Sequence, residues 1–319
     1  MTTMTGLRRG INDWELPHAR FDHLRSALAC QIDDTLNDGF PPFLECVVGP
    51  SRVGKSMLIE SLARDYPPQL HDGVRHVPVL VVKMPPYASP KQLPLSVLKA
   101  LKAPIPTAVR SNFQLVERMS SQLRLAKTRV ILFEEANHIV DSGSRIQARA
   151  AGDWFKQLMD EFQVSVVLSG IPKLERLFES NEQLRLRGAA IARFYPYSWM
   201  ILPEQRQFAA CVKAYTCKFE EYGVSFDVGL SSLVQNCFLV SGGLVGVLSK
   251  FMCRLAYDLK SSDTSTVTFE MCSQAASEIE SAGVVDHPAF REQEVPQIRL
   301  NAVYTSVLTE AGMRPRKSP

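Results

Sequence analysis

Phe43-Leu44-Glu45-Cys46-Val47-Val48-Gly49-Pro50-Ser51-Arg52-Val53-Gly54-Lys55-Ser56-Met57-Leu58-Ile59-Glu60-Ser61-Leu62-Ala63 is the stretch that decides the fold. It opens on a short, mostly apolar run to Val48 and closes on a helical pattern from Met57, with Gly-x-x-x-x-Gly-Lys-Ser between them. A strand, a glycine-bearing loop and a helix in that order are the context that makes this motif a phosphate loop. The glycines let the backbone curl so that successive N–H groups face phosphate oxygens, and the helix N-terminus adds its partial positive charge. Lys55 is expected to reach the outer phosphates and Ser56 to ligate Mg2+. Gly49, Pro50, Ser51, Arg52, Val53, Gly54, Lys55, Ser56 and Met57 are therefore the expected contacts of ATP.

Outward from this stretch, further apolar runs recur at Val77 to Lys83, Val130 to Phe133 and Val164 to Ser169, separated by helical patterns. Nearly continuous apolar strands alternating with helices predict a parallel sheet covered by helices, an α/β nucleotide-binding core over residues 41–203. After Leu202 the strand pattern stops. Residues 204–295 read as a small helical domain, with Gly223, Gly229 and Gly242-Gly243 as breaks and Thr268 as an N-cap. Residues 1–40 read as an N-terminal helical extension, and 296–319 as a C-terminal tail ending in Arg314-Pro315-Arg316-Lys317-Ser318-Pro319. No solenoid repeat occurs, and the one biased tract is the proline-studded stretch from Pro85 to Pro106.

Composition bounds the function without choosing it. A hydrophobic share of 45% over 319 residues supports a full core, so the chain is globular. The longest apolar runs fall far short of the roughly 18 residues of a membrane span. Met1 to Gly10 leads into Asn12, Asp13 and Glu15 and not into an apolar signal core, so a cytoplasmic location with no membrane partner is expected. Seven cysteines without a Cys-x-x-Cys pair predict reduced, structural thiols. A net charge of +3 requires any nucleic-acid site to be local.

Hydrolysis needs a carboxylate beside the metal and a group to activate water, usually at the end of an apolar strand. Here the strand ends Phe133-Glu134-Glu135. Glu134 is expected to hold Mg2+ and Glu135 to orient or deprotonate the attacking water. Glu134 stands where such strands usually carry Asp, and its extra methylene is expected to slow turnover. Glu135-x-x-His138 looks like half of a carboxylate-bridged metal site, with His71 and His76 as further conceivable ligands, but a second Glu-x-x-His is missing. His138 reads as structural or DNA-facing.

Taken together, Val48 to Ser56, Ile131-Leu132-Phe133-Glu134-Glu135-Ala136-Asn137-His138-Ile139 and Val166-Val167-Leu168-Ser169-Gly170-Ile171-Pro172-Lys173-Leu174 resemble the AAA+ transposition regulators called TniB and TnsC. The resemblance extends from about residue 40 to 290 and includes Asn181-Glu182-Gln183-Leu184 and Ala192-Arg193-Phe194. It implies a P-loop AAA+ core followed by a helical lid domain. It also implies assembly with ATP into rings or helical filaments on double-stranded DNA, and hand-over of that target to a transposase with a TniQ-like target-recognition protein. ATP hydrolysis is implied to disassemble the structure. Residue by residue, the resemblance places sensor-1 chemistry at Ser169, although related sequences carry the polar group two places later, where this chain has Ile171, and it places the arginine finger at Arg187 or Arg193. Gly243-Leu244-Val245-Gly246-Val247 stands where many AAA+ chains have Gly-x-x-Gly-Arg, so the sensor-2 arginine is replaced by Val247 or its part has moved to Lys250. The segments implied to follow DNA hold Lys91 and Arg110. Two other functions stay open at this stage: a helicase loader or DNA remodeller, and an ATP-gated scaffold with little hydrolysis.

Overall fold

The apolar runs pair into one sheet, as their β-branched composition predicts. The computed structural model describes residues 2–86, 88–105, 111–141, 146–187, 190–259, 265–279 and 288–315. The chain divides into two compact units, one of Phe21–Gly49 and Lys55–Phe194, the other of Met1–Arg20, Pro50–Gly54 and Tyr195–Pro319.

The first unit is α/β. Its strands are β1 Leu44–Val48, β2 Gln69–His71, β3 Val74–His76, β4 Val79–Lys83, β5 Val130–Glu134, β6 Ser165–Gly170 and β7 Ala190–Arg193. Five of them form a sheet in the order β4-β5-β6-β1-β7, and every pairing is parallel. β6 is buried along its whole length, which explains why its sequence runs Val-Val-Leu without alternation. The chain leaves β1 for the far edge, returns through β5 and β6, and then crosses to β7 on the other side of β1. Such a reversal leaves a ligand crevice beyond the carboxyl ends of the strands. Helices α3 Lys55–Asp65, α4 Gln92–Ala100 and α6 Ala148–Asp160 pack on the sheet, and α2 Ala19–Asn37 and α5 Asn112–Leu125 belong to the same unit from Phe21 on. Phe133 meets Trp154 and Phe155 of α6 edge-on, with centroids 5.8 and 5.3 Å away. Phe133 and Phe155 are fully buried. Truncating either to Ala removes about 3–5 kcal/mol.

Two features go beyond the sequence expectation. β7 is a fifth strand in a stretch, Ala-Ile-Ala-Arg, with little strand propensity of its own; it forms by pairing Glu45 to Val48 of β1 with Ala190 to Arg193. β2 and β3 form a hairpin turning at Asp72-Gly73, both with positive φ (49° and 76°). An Asp-Gly pair suits that mirror-image turn.

The second unit is helical: α1 Thr2–Asn12, α9 Leu202–Glu220, α10 Leu230–Ser241, α11 Val245–Asp258, α12 Phe269–Ser277 and α13 Gln297–Glu310, with the short parallel pair β8 Ser225–Phe226 and β9 Thr266–Val267. Its breaks follow the glycines: Gly223 and Gly242 adopt positive φ beyond α9 and α10, and Gly229 precedes α10. Thr268 caps α12, its Oγ1 accepting the Met271 N–H at 3.3 Å. Gly243, at φ +82°, lies against the Tyr197 backbone so closely that a Cβ would collide with the Tyr197 carbonyl. α13 occupies residues that the sequence analysis grouped with the C-terminal tail. Leu300, Val303, Tyr304, Val307 and Leu308 are buried at helical spacing, the stripe that docks a helix on a core. α1 packs on α11 and α9 through its fully buried Leu7 and Ile11. No single helix among the described residues is long and apolar enough to cross a membrane.

His18 gives this unit an acid sensitivity. The ring is buried, with Nδ1 2.9 Å from the Tyr197 hydroxyl, and burial, reinforced by Arg20, pulls its pKa down to about 4. An unfolded histidine titrates near 6.5, so between about pH 6.5 and 4 the unfolded chain binds the extra proton. The neutral ring's contribution is full above the unfolded pKa and is lost as pH falls through that window, up to about 3 kcal/mol. Chemical unfolding followed from pH 7 to 4 should show this slope, and His18→Gln should flatten it. An equally steep slope in the variant would place the acid-sensitive group elsewhere.

Candidate functional site

The phosphate loop begins where β1 ends. Gly49 N–H donates to the Gly170 carbonyl at 3.2 Å, extending the β1–β6 ladder by one bond. Arg52 and Gly54 then adopt positive φ (64° and 115°), and Val53 is buried. Residues 50–54 group with the helical unit, where the Arg52 carbonyl accepts the Gly246 N–H of α11 at 3.0 Å. A side chain at Gly246 would collide with that carbonyl. α3 starts at Lys55, so the motif leads directly into a helix N-terminus, the kind of site that receives anions. Leu58, Ile59 and Leu62 bury the inner face of α3, whereas Met57 stays 39% exposed on the outer one.

Lys55 Nζ donates to the Gly49 carbonyl at 2.8 Å. Burial pulls the ammonium down to about 8, and the Glu135 charge opposes that shift. Ser56 hydrogen-bonds to Glu134 at the end of β5. Burial raises the Glu134 carboxyl, with Ser56 acting in the opposite direction. Glu134 Oε1 is buried without a hydrogen-bond partner among the described residues. A hydroxyl and a carboxylate in contact, one oxygen of them left over, form the oxygen donor set that a small hard cation such as Mg2+ takes together with phosphates and water.

Glu135 follows with φ +52° and ψ +35°, a left-handed conformation that is uncommon outside glycine. Its carboxylate is half exposed, 3.6 Å from Lys83 Nζ at the end of β4 and 3.5 Å from His138 Nε2. His138 Nδ1 lies 2.8 Å from Asp141 Oδ2, and Lys173 Nζ donates to Asp141 Oδ1 at 2.9 Å. Burial alone would raise the Asp141 carboxyl, but the hydrogen bonds and charges of His138 and Lys173 hold it below its ordinary value. Asn137, also buried, accepts the Ile171 N–H on its Oδ1 at 3.3 Å and so ties the end of β5 to the end of β6. Ser169 is buried in β6 opposite Val47, one residue short of the strand end.

The two arginines proposed as fingers both meet carboxylates of their own chain. Arg187 follows two short helices, α7 Arg176–Glu179 and α8 Glu182–Leu186, and pairs with Asp160 of α6. Arg193, at the end of β7, holds Glu175 with Nε and Nη2 at 3.1 and 2.7 Å. Asn181 fixes the Arg187 segment, donating to Arg149 and Asp153 of α6 while its Oδ1 caps α8 at Leu184. Lys91 is exposed at the N-terminal cap of α4, and Arg110 lies outside the described residues. Val247 is buried in the first turn of α11 and Lys250 is exposed on the same helix.

Residues 40–194, the span from before β1 to the end of β7, match the family described as "Bacterial TniB protein". Over this core, just under half of the chain, the sequence is similar to TniB proteins. No curated protein matches the sequence. Among solved structures, this chain resembles Cdc6p from Pyrobaculum aerophilum at 13% identity, covering 95% of this chain and 83% of that one with a TM-score of 0.62. It also resembles the ORC2 protein of Aeropyrum pernix, solved as ADPNP-ADP complexes, at 12% identity over 85% and 71% of the two chains (TM-score 0.62). The Aeropyrum pernix ORC1 protein, solved in complex with DNA, aligns at 15% identity over 86% and 69% (TM-score 0.58). At these identities the likeness is one of fold, and it is the AAA+ fold expected from the sequence.

Several polar residues of this core escaped the sequence analysis: Lys83, Asn137, Asp141, Lys173, and the carboxylates Asp160 and Glu175 that hold the arginines. Lys83 and Asp141 carried a usable signal, the first as the terminal residue of a predicted strand and the second three places beyond His138. The others meet across long stretches of chain.

Proposed function

We propose that this chain is an ATPase that uses ATP and Mg2+ to assemble on double-stranded DNA and to present that DNA to a transposase. The observation that carries the reading is one corner of the α/β unit. There the buried Lys55 ammonium feels the Glu135 charge, and Ser56 contacts Glu134. Lys55 and the N-terminus of α3 would bind the outer phosphates, Ser56 and Glu134 would hold Mg2+, and Glu135 would orient and deprotonate water. Mg2+, when bound, would neutralise charge on the phosphates. Ser169 in β6, and Asn137, which reaches from the turn after β5 to the Ile171 N–H, are the polar groups that would sense the γ-phosphate. Arg187 or Arg193 would complete a neighbour's site after exchanging its carboxylate partner for phosphate, which makes turnover depend on assembly as a ring or filament. The DNA and nucleotide complexes of the ORC proteins support an ATP-controlled DNA role, and the TniB match supports transposition with a TniQ-like partner.

DNA contact is assigned to Lys91 and Arg110 on the inner face of the assembly. With a net charge of only +3, each subunit neutralises few phosphates, and binding gains strength by repetition along the duplex. Duplex binding measured over a salt series should be ATP-dependent, sequence-tolerant and steeply salt-dependent. Lys91→Ala should weaken it on all sequences alike and flatten the slope by about 0.9 for each phosphate no longer neutralised. Binding that needs no ATP would overturn the proposal, and an unchanged slope in both Lys91→Ala and Arg110→Ala would move the DNA face elsewhere.

A further inference from the structure

We propose that His138, oriented by Asp141, is a positioning residue for Glu135 in ATP hydrolysis. The proposal rests on the hydrolytic function above and adds to it a part for residues outside the phosphate loop and the acidic pair. Directly after β5 the left-handed Glu135 turns the chain into a single 3-10 turn, Ala136–Ile139, closed by His138 N–H donating to the Glu135 carbonyl at 3.0 Å. That turn folds the imidazole back over the carboxylate three residues before it, with Nε2 3.5 Å from Glu135 Oε2. The opposite ring nitrogen is held at 2.8 Å by Asp141, whose second oxygen is held at 2.9 Å by Lys173 from the segment after β6. The ring is thus fixed from two elements, and its remaining edge faces the base.

Glu135 itself is half exposed, and neither Lys83 at 3.6 Å nor His138 at 3.5 Å reaches hydrogen-bond distance. Each contact alone leaves the side chain able to swing; the two together confine it from two directions. Confinement matters because an error of about 1 Å in placing a reacting group can cost on the order of 100-fold in rate. With Asp141 placed to accept a proton from Nδ1, Nε2 is the ring atom turned toward the Glu135 carboxylate. Among the described residues, the charged groups facing this ring and its target are Glu134 at the end of β5, Lys83 from β4, Lys55 from α3, Asp141 beyond the 3-10 turn, and Lys173 after β6.

The test is steady-state ATP turnover by the full chain with duplex DNA from pH 5.5 to 8.5, for the unaltered protein and for His138→Ala, His138→Gln, Asp141→Asn and Glu135→Gln. Nucleotide binding and melting are measured alongside. His138→Ala should lower kcat about 10- to 100-fold with KM within about twofold, since the phosphate contacts are untouched. His138→Gln, which keeps a donor, should recover part of the loss, and Asp141→Asn should fall between. The pH profile of kcat in His138→Ala should differ from that of the unaltered protein. No turnover by the unaltered protein, or normal turnover by Glu135→Gln, would overturn the hydrolytic function and this proposal with it. Turnover that depends on Glu135 but is unchanged in His138→Ala overturns the proposal alone. So does a kcat loss with the same pH profile and no recovery in His138→Gln. Should His138→Ala fail to fold, Asp141→Asn and His138→Gln decide by the same kcat and pH criteria.

Discussion

Lys55→Ala is expected to abolish ATP binding while leaving the protein folded. The ammonium is buried against the Gly49 carbonyl and its pKa is drawn down to about 8, so the fold carries the cost of a desolvated cation. A phosphate at that ammonium supplies counter-charge where burial has removed water. Charge-assisted hydrogen bonds contribute about 1.5–3 kcal/mol each, so removing two corresponds to a drop in affinity of roughly 100-fold or more. Deleting the desolvated cation should leave the melting temperature equal or slightly raised. Nucleotide titration and thermal melting of the variant check both halves. An affinity like that of the unaltered protein would sink the assignment of the phosphate loop.

Glu135→Gln separates binding from chemistry. Its carboxylate touches Lys83 and His138 and no backbone group of the phosphate loop in the hydrogen bonds described, so ATP should bind as before and the DNA-bound assembly should persist. Loss of a general base costs about 100- to 10,000-fold in rate. Phosphate release should fall by that factor, and electron microscopy with ATP itself, in place of a slowly hydrolysed analogue, should then retain the assembled form on DNA. Normal phosphate release would place the base on another residue. Rapid disassembly without release would uncouple assembly from hydrolysis.

Local features were legible before the structure, and features made by contact across the chain were not. The loop from Gly49 to Ser56 and the pair Glu134-Glu135 are short, contiguous and flanked by strong apolar runs, so residue types alone place them at the carboxyl ends of strands. β7 lacks such a run and is held in the sheet by its partner β1. The stripe of α13 was visible at helical spacing, but its closeness to the basic end of the chain drew it into the tail. The functions of Arg187 and Arg193 are harder still to read, because what sequence shows is a charge and what decides its use is whether Asp160 or Glu175 occupies it. His138 illustrates the same limit. Its helical-turn spacing from Glu135 and Asp141 was in view, yet only the left-handed backbone at Glu135 brings the ring over the carboxylate.

The glycines of Gly243-Leu244-Val245-Gly246-Val247 have a consequence for how this chain can vary over time. Any side chain at 243 runs into the Tyr197 carbonyl, and any side chain at 246 into the Arg52 carbonyl, in both cases main-chain atoms that no change of rotamer can move aside. Two positions are therefore closed to all nineteen other amino acids, whatever their polarity, while the neighbouring Val247 is constrained only to be apolar and of fitting size. A library randomised across residues 243–247 and selected for function should return glycine at the first and fourth positions and a spread of aliphatic residues at the fifth. The pattern that survives drift in this segment is thus a record of where the backbone needs room, and the charge that many AAA+ chains place next to it can disappear without disturbing it.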